Sequence, residues 1–137
     1  MAKLLIAVRS EDLSAALAEV LTEHEICVCH TGVDAQAALE VLQPDALIVQ
    51  LSLPWGSGLT VLQEAVQKPP VILALTNLLG DHILQAAAKA GVQDMLLLPC
   101  TVQNIVRHLN ALLQKRPASE DKSEAGANFI YGELAYI

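Results

Sequence analysis

Chemistry in this chain would lie where polar side chains interrupt its apolar runs. Leu4-Leu5-Ile6-Ala7-Val8 is followed at once by Arg9 and Ser10. The run Ala46 to Leu51 carries Gln50, with Ser52 just beyond it. Val71 to Leu75 ends at Thr76 and Asn77, and Asp94 to Leu97 ends at Leu98 and Pro99. These positions offer a cation, amides and hydroxyls. They offer no paired carboxylates for acid–base work and no nucleophile beside a base. Mg²⁺ wants hard, preferably anionic oxygen ligands, which Arg9, Ser10 and Gln50 do not supply. A Gly-rich phosphate loop after the first run is also missing. The chain is therefore not expected to be an enzyme, and no cofactor or metal is expected.

Other reactive side chains carry weaker signals. Cys27 and Cys29 at i, i+2 share one strand face, with His30 on the opposite one. A metal site needs more ligands in one place, so small core residues are the plainer reading. Ser52 and Ser57 have hydroxyls but no evident base, which makes them loop polarity. Trp55 is either an exposed recognition anchor or a lid over a cleft.

The elements that position these residues follow from periodicity and punctuation. Strands are expected at Leu4–Val8, Ile26–Cys29, Ala46–Leu51, Val71–Leu75 and Asp94–Leu97. Ser10 or Asp12 caps a helix with Leu13, Ala16, Leu17, Val20 and Leu21 at helical spacing. Thr31-Gly32 reads as a turn, and Asp34 opens a helix with Ala37, Ala38, Val41 and Leu42 on one face. Pro54-Trp55-Gly56-Ser57-Gly58 is a loop before a helix from Leu59 to Val66. A helix from Asp81 to Ala90 is stopped by Gly91. Thr101 caps the last helix, with Ile105, Leu109, Leu112 and Leu113 inward. Five strands alternating with five helices on short connections predict an α/β fold, a doubly wound five-stranded parallel sheet.

Composition agrees with that class. Of 137 residues, 53% are hydrophobic but only 3% aromatic, so the core is built from Ala, Val, Ile and Leu. Net charge is −7, with 8 Lys+Arg against 15 Asp+Glu, a poor balance for gripping a phosphate backbone. Three cysteines, an odd count, with no secretory signal, point to reduced thiols in the cytoplasm. No apolar run approaches the roughly 18–20 residues of a membrane span. Phe129, Tyr131 and Tyr136 crowd the end of the chain, after a Pro-, Ser- and acid-rich stretch. The expected organisation is a domain at 1–115, a linker at 116–128 and a tail at 129–137.

The order of these pieces resembles the receiver domain of bacterial response regulators. Pro44 to Pro54 looks like that family's third strand and loop, continued by Trp55 to Leu59. Val71 to Thr76 looks like its fourth strand with a switch hydroxyl. Ala90 to Pro99 looks like its fifth strand with a terminal proline. The resemblance implies the flavodoxin-like receiver fold and a phosphorylation site, here degenerate. Arg9 and Ser10 stand at the family's acidic pair. Gln50 stands at the acceptor Asp, and Leu98 at the Lys before the proline. Met95 replaces the switch aromatic, while Thr76 and Pro99 are kept. Mg²⁺-dependent aspartyl phosphorylation is therefore expected to be lost. Arg9 either reaches Gln50 or backbone carbonyls, as a standing substitute for the lost ties, or points to solvent with Glu11.

The same resemblance implies partners. The fourth-helix, fifth-strand, fifth-helix face makes the family's symmetric dimer, which would involve Met95, Asp94, and Arg107 or His108. Intramolecular salt bridging is the other reading of those charges. Gly132-Glu133-Leu134 and its flanks look like the opening strand of a winged-helix output domain. DNA would then be bound only through a domain beyond Ile137. The expectation is an atypical regulatory and dimerisation module of a signal-transduction transcription regulator, with protein partners. A stand-alone receiver-like adaptor, or one regulating an RNA-binding antiterminator, is the alternative.

Overall fold

The computed structural model describes residues 2–65, 68–77 and 80–114. The expected linker at 116–128 and tail at 129–137 lie outside them. The strands are β1 (Lys3–Ala7), β2 (Glu25–Cys29), β3 (Ala46–Gln50), β4 (Val71–Thr76) and β5 (Asp94–Leu97). The helices are α1 (Glu11–Val20), α2 (Gly32–Leu42), α3 (Gly58–Glu64), α4 (Asp81–Lys89) and α5 (Val102–Gln114). All pairings are parallel, in the order β2-β1-β3-β4-β5. The doubly wound sheet is thus the expected one.

Successive strand residues face opposite sides of the sheet, so a strand covered on both sides must be apolar throughout. β3 and β4 are buried at every position. One layer packs Leu5, Leu47, Val49, Ile72 and Met95 under Leu39, Leu62 and Ala87. The other packs Leu4, Ile6, Ile48, Leu73 and Leu96 under Leu17, Ile105 and Leu109. Each fully buried Leu or Ile contributes about 1.5–3 kcal/mol.

Helix starts follow their caps. Ser10 Oγ accepts from the Leu13 N–H at 3.0 Å, which selects Ser10 over Asp12 as the cap of α1. Thr31 caps α2 through the Asp34 N–H, so that helix begins at Gly32 rather than at Asp34. Ser57 caps α3, which starts at Gly58 and ends at Glu64. Thr101 Oγ1 accepts from Asn104 N–H at the start of α5.

Three positions expected on inward helix faces, Val20, Ala37 and Val41, turn outward. Val20 is 54% exposed and Val41 is 82% exposed. α2 buries Gly32, Ala35 and Leu39 instead. Its apolar residues occupy nearly every side of the helix, so spacing alone does not choose the inward face.

Candidate functional site

Strand order reverses between β1 and β3, and a doubly wound sheet opens its crevice at the carboxyl ends of such strands. The register pairs Ala7 with Val49, so Gln50 lies beside the chain leaving β1. There the Arg9 backbone N–H donates to Gln50 Oε1 at 3.0 Å. Gln50 Nε2 donates to Ser52 Oγ over a longer 3.4 Å. The Arg9 guanidinium donates to the Ser52 carbonyl at 3.3 Å. Arg9, Gln50 and Ser52 therefore form a closed ring of hydrogen bonds across the crevice. Gln50 is only 8% exposed, so each polar atom of its amide needs such a partner.

The remaining sequence-selected positions surround this ring. Ser10 is exposed, and its hydroxyl accepts the Leu13 N–H at the head of α1. Thr76 is buried at the end of β4, and its carbonyl accepts from Leu98 N–H at 2.7 Å. Leu98 packs partly buried against the α1/α5 layer of the core.

The donor set does not fit Mg²⁺. Among Arg9, Ser10, Gln50, Thr76 and Leu98 no carboxylate is present, and the Ser52 carbonyl already accepts from a cation. An amide nitrogen or oxygen is not a nucleophile toward phosphoryl, so Gln50 cannot take a phosphoryl group as an aspartate would.

The loop after β3 is held from the opposite side. Gly32 N–H donates to the Pro54 carbonyl and Val33 N–H to the Trp55 carbonyl, each at 2.9 Å. A Cβ on Gly32 would fall 1.6 Å from the Gly56 oxygen, so only glycine allows this approach. Trp55 adopts φ +53° and is 77% exposed, which makes it an exposed side chain rather than a lid.

The residues chosen for a dimer face sit differently from the expectation. Met95 is fully buried, in the core layer beneath α2, α3 and α4. Asp94 is 5% exposed and its Oδ2 lies 2.7 Å from His108 Nδ1, an intramolecular pair joining β5 to α5. Its Oδ1 accepts from Met95 N–H. Arg107 is exposed and bonds to Asn104 one turn back on α5. Of the four, Arg107 alone presents an exposed side chain.

The thiols behave as small core groups. Burial, with the neighbouring Cys27 adding to it, pushes the Cys29 thiol up to about 11. Burial also raises Cys100. Among the described residues no three His, Cys, Asp or Glu side chains gather as metal ligands would.

The structure of a response regulator receiver domain protein (CheY-like) from Methanospirillum hungatei superposes with TM-score 0.77 at 15% identity, covering 85% of this chain and 96% of that one. Among curated proteins, the probable transcriptional regulatory protein TcrX of Mycobacterium tuberculosis is 29% identical over 107 residues, 75% of this chain and 44% of its own length. The chain is a response-regulator receiver domain. A protein-glutamate methylesterase/protein-glutamine glutaminase of Rhodospirillum rubrum is 30% identical over 105 residues, 72% of this receiver domain but 28% of that enzyme. The receiver domain thus spans less than half the length of these curated relatives. No protein-family model matches it. Among the described residues no helix is long and apolar enough to cross a membrane.

Proposed function

We propose that this chain is an atypical receiver domain that regulates through protein contact without being phosphorylated. The observation that carries the reading is the closed ring of Arg9, Gln50 and Ser52, which fills the crevice with internal hydrogen bonds. A conventional receiver would tie this region together through a metal ion and a phosphoryl group. Here a fixed cation and an amide make standing ties, so one arrangement of the β3–α3 loop is favoured permanently.

The domain would serve as the regulatory module of a signal-transduction transcription regulator, a role supported by the name of TcrX. DNA contact would belong to an output domain. No catalytic role is assigned, because the crevice offers no nucleophile–base pair. Three free cysteines fit a reducing, cytoplasmic setting.

The test is a titration of the isotopically labelled chain with Mg²⁺ and beryllofluoride, a mimic of the phosphoryl group, followed by amide NMR. Unmoved resonances for Arg9, Gln50, Thr76 and Leu98 are expected. Saturable shifts at those four positions would refute phosphorylation independence.

A further inference from the structure

Three of the large exposed apolar residues of this domain lie along α2 and the loop held to its start. Among the described residues the large exposed ones are Val20, Val28, Val33, Val41 and Trp55. Val20 lies on α1 and Val28, beside Ile6, faces the α1 side of the sheet, whereas Val33 and Val41 lie on α2. Trp55 joins them because its carbonyl accepts from the Val33 N–H. None lies on α4, β5 or α5, the face that the sequence resemblance favoured for dimers.

On α2 the exposed apolar positions are regular. Val33, Ala37 and Val41 are all exposed at steps of four residues, so they form one stripe along the outer side of the helix. Asp34 and Glu40 are exposed beside it. Trp55 stands at the head of the stripe, fixed by the loop contact that Gly32 permits. The first-turn N–H groups of α2 are already used by Pro54, Trp55 and Thr31, so this helix start is not an anion site.

Charge selects the occupant. α2 carries Asp34 and Glu40 and no Lys or Arg, while Glu11, Asp12 and Glu19 lie on α1 in the other layer. A second copy meeting this surface symmetrically would bring like charges together, as would a nucleic acid. A protein segment with cations flanking an apolar stripe would complement it in both respects.

We propose that the outer face of α2, headed by Trp55, is a docking surface for a cationic amphipathic helix of another protein. The proposal rests on the protein-contact part of the function above. Its failure is separable, because the phosphoryl-mimic titration reads other residues.

Trp55 is the chain's single tryptophan and supplies the readout. The full chain is titrated with a synthetic Leu/Lys amphipathic helical peptide that lacks aromatics. A saturable blue shift of Trp55 emission is expected, weakening as salt rises. Val33→Ser combined with Val41→Ser should raise the dissociation constant about tenfold or more. Both sites are exposed, and far-UV circular dichroism checks that the fold is kept. Asp34→Asn with Glu40→Gln should weaken binding and flatten its salt dependence. Equal binding of a Leu/Glu peptide or of an apolar-free Ser/Lys peptide would overturn the proposal. So would unchanged affinity in the double serine variant, no shift of Trp55 emission, or sedimentation showing self-association that this variant abolishes.

Discussion

The Arg9 N–H and Gln50 Oε1 meet at 3.0 Å across the point where strand order reverses. Gln50 does more there than fail to be an aspartate. It links the chain leaving β1 to the chain leaving β3, and Ser52 completes the link to the Arg9 guanidinium. The crevice is closed by neutral and cationic donors that require no ligand.

Gln50→Leu removes both amide bonds and leaves the Arg9 N–H without this acceptor. Leaving a partly buried donor without its partner costs about 1–3 kcal/mol. Urea unfolding should show that loss with the m-value unchanged. Wild-type stability in this variant would mean that the ring carries no structural weight.

Gly32→Ala should be more damaging than an ordinary helix-start substitution. Its Cβ meets the Gly56 carbonyl oxygen at 1.6 Å, a backbone atom that cannot swing aside. The loop must move, at a cost of about 2–4 kcal/mol, in the range of severe single changes. Trp55 emission should change as well, since the Val33–Trp55 bond anchors its backbone. An unaltered melting point would contradict the observed contact.

His108→Ala leaves the buried Asp94 carboxylate without its imidazole partner. Losing a buried hydrogen-bond partner of this kind costs about 1–3 kcal/mol. Thermal unfolding should record the loss, and sedimentation should show no change in oligomeric state. A change of state with little loss of stability would return this pair to a dimer interface.

The Cys29 thiol is favoured in its neutral form by burial, with a folded value of about 11 against 9.0 for the free group. The folded value is the higher one. Its contribution to stability is therefore full below pH 9.0 and is lost as pH rises toward 11. Melting temperatures under reducing conditions should fall across that window more steeply than those of Cys29→Ala. Iodoacetamide at neutral pH should label the folded chain slowly at Cys29 and Cys100.

Much of this was legible in the sequence. The apolar runs of β3 and β4 announced strands covered on both faces, and Ser10 and Thr101 cap helices as expected, whereas Thr31 and Ser57, read as turn and loop residues, cap helices as well. The crevice residues lie at strand ends, where periodicity placed Arg9, Gln50, Thr76 and Leu98. Sequence left open whether Arg9 pointed inward, because that depends on the distance between two strands adjacent only in space. It misjudged α2 because valine and alanine surround that helix, and only packing decides which valine is left outside. It also placed Met95 at a surface, although a fifth-strand position that faces the α2, α3 and α4 layer is covered by them. Ser52 went unrecognised as part of the ring. Its contribution includes a backbone carbonyl, and no side-chain pattern signals that.

The central claim is that this receiver fold operates without aspartyl phosphorylation. Incubating the full chain with acetyl phosphate and Mg²⁺, then measuring intact mass, tests it most directly. The account predicts a single unmodified species throughout. A stable phosphoryl adduct, mapped to Glu11, Asp12 or any other carboxylate around the crevice, would contradict it.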